Sequence, residues 1–171
     1  MTIHIFTSRL IIALVCGILI GLERQLRQRS AGLTTNSLVA VGACIFILIS
    51  ETIIANARAA GGPVNNDNLR VLAQIVTGIG FLGAGVILRD GFTIHGLNSA
   101  ATLWCSAAVG SMCGYGLWRE AVVAVSVILF INWVLKWIER YLESHQQNNP
   151  VADPYKPEKT DDQKTDKSEE K

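Results

Sequence analysis

Charge is what this sequence has least of. Asp, Glu, Lys and Arg make up 17% of its 171 residues, against about 25% in soluble domains. So few charges cannot give a domain of this size an ordinary aqueous surface. They are also unevenly placed: Asp153 to Lys171 holds seven acidic and five basic residues, leaving ten basic and seven acidic for the first 152. A net charge of +1 with no basic tract removes the counterion release that drives nucleic-acid binding, so a nucleic-acid role is excluded. The four cysteines, Cys16, Cys44, Cys105 and Cys113, lie in apolar stretches without CxxC spacing. That excludes a disulfide framework and a zinc site and leaves small buried apolar residues. Only three histidines occur, His4, His95 and His145, none with a carboxylate or nucleophile partner by spacing, and GxSxG, HExxH and Walker patterns are missing. An enzyme is not expected, nor a metal or other cofactor. The N-terminus lacks a basic n-region and the first apolar run lacks a small-residue cleavage pattern, so that run is expected to be retained.

What is abundant is apolar sequence, half of the chain. Five runs come close to the roughly 20 apolar residues that cross a hydrocarbon core, at about 5–22, 37–55, 71–88, 97–115 and 121–138. The expected fold is an all-α membrane protein: a bundle of about five transmembrane helices over residues 1–143, followed by a disordered polar tail over 144–171. Arg9 is placed to snorkel at the start of the first run, and Trp133 and Trp137 beside Lys136 read as an interfacial anchor. Arg24, Arg27 and Arg29 in one short loop, and Lys136 at the end of the last run with Arg140 after it, put both segments in the cytoplasm. The N-terminus and the loop 56–70 then lie outside, and Arg89-Asp90 and the tail inside. Arg58, Arg70 and Arg119 fall on the outer side and weigh against that orientation.

Gly78-Ile79-Gly80-Phe81-Leu82-Gly83 matches GxGxxG but sits inside an 18-residue apolar run, where no strand-turn-helix unit can form around a phosphate. Gly78, Gly80, Gly83 and Gly85 are expected instead to let helix backbones approach closely. Gly17 with Gly21 and Gly110 with Gly114 form two GxxxG pairs suited to packing within the bundle or between protomers. Polar groups inside the runs are costly unless partnered. Glu51 is the sharpest, with Arg70, Gln74 or Thr77 as candidate partners. Asn98, Thr102 and Cys105 at i, i+4 and i+7 draw one polar stripe on the fourth helix. Glu23, Arg24, Asn36, Arg89, Asp90 and Asn98 all approach the cytoplasmic boundary and are candidates for one polar cluster.

Three stretches, ILIGLERQLRQR from Ile18 with AGLTTN after it, RVLAQIVTGIGFLGAGVIL from Arg70 and GLNSAATLW from Gly96, resemble the MgtC/SapB family of bacterial membrane proteins. The likeness covers Leu10 to about Leu142. It implies an inner-membrane protein of five transmembrane helices, associated with magnesium homeostasis under scarcity, with stress adaptation and with virulence through survival inside host cells. Positions similar to the family's polar motifs are Glu23, Arg24, Asn36, Gln74, Asn98 and Cys105. Some members continue into a soluble C-terminal regulatory domain, whereas here only a polar tail follows Glu143.

Two functional readings remain. In the leading one the bundle binds a membrane-protein partner, or another copy of itself, within the lipid bilayer and regulates ion homeostasis. The rival is a transporter or channel for magnesium or another small cation, with Glu51 and the Glu23–Asp90 region as its sites. Magnesium sheds water reluctantly and prefers octahedral oxygen coordination, which one carboxylate within the spans supplies poorly.

Overall fold

In the computed structural model the described residues are 2–61 and 68–146, with Asn68 and residues 135–146 described by their backbone alone. Five helices follow in order: α1 Ile3–Leu26, α2 Leu33–Ala59, α3 Asn68–Val86, α4 Leu97–Tyr115 and α5 Trp118–Gln146. Between α3 and α4 stands a small antiparallel hairpin, β1 Leu88–Asp90 and β2 Thr93–His95, in the register Leu88↔His95, Arg89↔Ile94, Asp90↔Thr93. The chain divides into two compact units, Met1–Trp133 and Val134–Lys171. The first holds α1 to α4 and the start of α5; of the second, the backbone of α5 is described to Gln146.

The helices outrun the apolar segments that mark them. α1 continues four residues past Leu22 through Glu23, Arg24, Gln25 and Leu26, all good helix formers, because leaving an apolar layer does not end a helix. It ends in a Schellman turn instead: Gln28 N–H bonds Gln25 O at 3.0 Å and Arg29 N–H bonds Arg24 O at 3.1 Å, with Gln28 at φ 53 in the left-handed position that usually takes glycine. α3 corrects the sequence reading at its other end. It stops at Val86, and Leu88 to His95, expected as the end of a helix and an inner loop, form the hairpin. The signal was Gly91, at φ 58 in the first position of the two-residue loop Gly91-Phe92. Gly96 then re-enters α4 at φ 89, where a Cβ would stand 2.1 Å from the Val86 carbonyl. α5 runs through residues 144–146, which were expected in the tail; residues 147–171 and the side chains of Lys136, Trp137 and Arg140 lie outside what is described.

α1, α2 and α3 are each long and apolar enough to cross a membrane, judged by length and composition among the described residues. α4 carries Ser99, Thr102, Ser106 and Ser111, all buried. A helix sheathed by its neighbours need not be apolar all round, which is how the fourth segment combines polarity with a central position. The packing is inside-out relative to a soluble domain. Arg24, Asn36 and Ser106 are wholly buried, while Phe46, Phe81, Phe130 and Trp133 are 60% or more exposed. One apolar cluster joins Ala13, Cys16 and Ile20 of α1, Cys44 and Leu48 of α2, Val109 and Cys113 of α4, and Ala121 and Val125 of α5. A smaller one, Ala43, Ile79 and Ala107, ties α3 to α2 and α4.

Candidate functional site

The closest helix contacts are made by the two GxxxG pairs, and all four glycines face α2 of the same chain. A Cβ on Gly17 would meet Ser37 Cα at 2.7 Å and one on Gly21 would meet Leu33 Cα at 2.7 Å. On α4, a Cβ at Gly110 would fall 2.0 Å from the Ala40 carbonyl oxygen, and one at Gly114 would fall 2.7 Å from Ile47 Cβ. α1 therefore runs antiparallel to α2, and α4 parallel to it, with backbones close enough for side chains one turn from the helix ends to bond across. The glycines of α3 depart from expectation. Gly83 meets Ala100 at an ordinary 3.6 Å, and Gly78, Gly80 and Gly85 have nothing within 4 Å. Sequence spacing shows that a helix is smooth, not what lies against it.

These close approaches assemble a polar site at one end of the bundle. Arg24, in the last turn of α1, sends its guanidinium to the start of α4: Nη1 donates to Asn98 Oδ1, and Nη2 donates to Ser99 Oγ at 2.9 Å. Ser30, delivered by the Schellman turn, donates to the same Ser99 Oγ at 3.0 Å. Beside it, Asn36 of α2 donates from Nδ2 to the carbonyls of Ala31 (3.1 Å) and Gly32 (2.8 Å) and accepts from Ser106 Oγ at 2.8 Å. Asn36 thus fixes the α1–α2 loop to α4 with every strong bond its amide favours except one. Arg24 is a different case. It is a fully buried cation whose hydrogen-bond acceptors are neutral and whose Nε has no partner. A buried charge needs compensation, and the nearest carboxylate in sequence is Glu23. Glu23 lies 2.5 Å from Arg27 Nε one turn on, yet both of its oxygens are buried without an aligned donor, so the pair is held by charge and not by hydrogen-bond geometry.

At the opposite end of α1, Arg9 does more than reach for an interface: Nη1 donates to the Gly114 carbonyl at 2.7 Å, and the guanidinium fills the space over Gly116, which ends α4 at φ 81. A cation at a helix C-terminus satisfies a free carbonyl and the helix dipole together. Arg9 and Arg24, fifteen residues or about 22 Å apart along α1, tie the same two helices at both ends.

The expected polar cluster is therefore formed in part. Arg24 and Asn98 meet; Asn36 stands next to them with Ser106; Arg89 bonds the Gly91 carbonyl within its own hairpin at 2.9 Å; and Asp90 is exposed on β1. The expected α4 stripe breaks up. Asn98 pairs with Arg24, Thr102 bonds its own helix at the Asn98 carbonyl (2.8 Å), and Cys105 is partly buried with no hydrogen bond of that set. The serines carry the cross-helix bonds instead. Ser30, Ser99 and Ser106 were missed because serine is also common as a neutral helix residue; the i, i+7 spacing of Ser99 and Ser106 was the available signal. Glu51 is part-buried on α2. Gln74 is exposed on α3, and Thr77 returns its hydroxyl to Ala73 O at 3.0 Å. Among the described residues no group of three or more His, Cys, Asp or Glu is placed to hold a metal ion.

The pattern of buried arginine, asparagine and small residues coincides with a family model matching residues 10–141, that of the MgtC family. The chain belongs to the MgtC family. It is 50% identical over 131 residues to Protein MgtC of Salmonella typhimurium and to Protein MgtC of Brucella abortus, each alignment covering 77% of this chain and 52% and 51% of the relative. An uncharacterized protein of Synechocystis is 49% identical over 140 residues, 81% of this chain and 55% of that one. The chain thus spans about half the length of these curated relatives. No solved structure matches it.

Proposed function

We propose that this MgtC-family chain is a multi-pass bacterial inner-membrane protein that acts in adaptation to low magnesium by binding and regulating a membrane-protein partner, without catalysis. Five helices cross the bilayer, with the N-terminus periplasmic and the C-terminus cytoplasmic. The observation that carries the reading is how the polar groups of the spans are used. Arg9, Arg24, Asn36, Asn98, Ser99 and Ser106 bond helix to helix, closing the bundle where a conduction pathway would keep donors and acceptors open to a hydrated ion. The broad apolar exterior fits lipid and partner contact.

Reconstituted, folded protein is expected to pass no magnesium, protons or potassium above empty liposomes. Saturable flux lost on Glu51→Gln would overturn the regulatory reading in favour of transport. In cells, a deletion strain is expected to grow poorly when magnesium is scarce and to recover with the wild-type chain. Impermeant maleimide should reach Phe92→Cys, in a background free of other cysteines, from the cytoplasmic side only; labelling of intact cells would reverse the topology.

A further inference from the structure

α2 and α3 meet through Ala43 and Ile79, over Ala107 of α4, and these residues line an open, almost wholly apolar groove of about 590 Å³ between the two helices. Gly42 and Gly78 stand on opposite lips, and neither has any atom within 4 Å of where a Cβ would be. We propose that this groove binds an acyl chain of an anionic phospholipid, with its phosphate at the start of α2.

The groove has room for a chain. If each methylene fills about what one water does in the liquid, roughly 30 Å³, a sixteen-carbon chain occupies about 500 Å³. Length agrees. The groove follows α2 from Thr34 to Phe46, twelve residues or about 18 Å, and one leaflet contributes about half of a hydrocarbon core roughly 30 Å thick. Charge chooses the headgroup. The Thr34 end adjoins the loop carrying Arg27, engaged with Glu23, and the exposed Arg29. α2 begins at Gly32, which has no side chain to cap it; Gln25 Oε1 accepts from the first amide, Leu33 N–H, at 3.4 Å, and the helix dipole adds positive charge at the same end. Basic groups beside a cleft between helices at the cytoplasmic boundary are the usual setting for anionic lipid headgroups.

The proposal rests on α2 and α3 spanning the membrane. A failure of that reading would appear separately, as release of the protein from membranes without detergent. The test is native mass spectrometry of detergent-purified protein equilibrated with equal amounts of phosphatidylglycerol and phosphatidylcholine of identical chains. The wild type is expected to retain phosphatidylglycerol about tenfold more than phosphatidylcholine. Gly42→Leu with Gly78→Leu, both entering open space, should reduce retention of both lipids about tenfold at unchanged helicity. Arg29→Gln should weaken the headgroup preference severalfold and leave the retention of phosphatidylcholine unchanged. Equal retention by the groove-filled variant, no preference in the wild type, or a second protein copy in the groove in place of lipid would each overturn it. Should the leucine pair fail to fold, photoactivatable acyl-chain phosphatidylglycerol on the wild type decides: crosslinks at Leu38 and Phe46 are expected, and crosslinks confined to other faces, such as Trp133, refute the site.

Discussion

Asn36 offers the sharpest test of how the bundle holds together. Asn36→Ala removes three hydrogen bonds, two to the carbonyls of Ala31 and Gly32 and one from Ser106. Not all partners are stranded. The Gly32 carbonyl keeps the Asn36 backbone N–H at 3.2 Å, and the Ser106 hydroxyl can turn back onto its own helix. The Ala31 carbonyl is left with nothing in its place. At about 0.6 kcal/mol for the cross-helix bond to Ser106, about 0.5 kcal/mol for each of the two bonds to the loop carbonyls and about 1 kcal/mol for one orphaned buried carbonyl, the loss is about 2–3 kcal/mol. Ser106→Ala breaks one of the three bonds and should cost about 0.6–1.7 kcal/mol. Asn36→Asp should be worse than Asn36→Ala, since it turns a carboxylate oxygen onto two carbonyls. The measurement is reversible unfolding in mixed micelles titrated with dodecyl sulfate and followed by circular dichroism, with the Asn36/Ser106 double mutant to isolate their coupling. If Asn36→Ala costs no more than Ser106→Ala, or Asn36→Asp is the most stable of the three, the assignment of Asn36 as the loop-to-α4 tie is wrong.

The other predictions concern backbone contacts and helix ends. Gly110→Ala, whose Cβ would press on the Ala40 carbonyl, should cost about 3 kcal/mol or more or prevent assembly, whereas Gly78→Ala, with open space at its Cβ, should stabilise by up to about 1 kcal/mol; parallel micelle titrations compare them. Arg9→Met should lose about 1 kcal/mol through the freed Gly114 carbonyl, with Arg9→Lys in between, read from the same unfolding curves. Gln28→Gly should stabilise by about 0.5–1 kcal/mol by relieving the left-handed backbone at φ 53, seen as a raised thermal midpoint.

How much of this was legible in the sequence differs by element. The apolar runs and the charge-poor composition located five helices, because period and length report on the medium a segment is stable in. The limits of those helices were less visible: hydropathy ends at Leu22, but the hydrogen-bond ladder ends where Gln28 turns left-handed. The hairpin 88–95 was written in Gly91 and hidden by strands of only three residues following a long apolar helix.

Residue types could nominate Arg24, Asn36 and Asn98 as costly groups in need of partners. Which partners they have is a property of three dimensions: Arg24 finds Asn98 and Ser99, 74 and 75 residues away, only because Gly17, Gly21, Gly110 and Gly114 let α1, α2 and α4 close to backbone contact. The same glycine signal on α3 led to an open groove instead. A glycine removes a side chain from one surface, and the chain alone does not say which surface comes to meet it. Composition and periodicity thus determined the helices and their apolar character, which are local properties, and tertiary structure decided which faces touch, because close helix packing depends on fit between surfaces far apart in sequence.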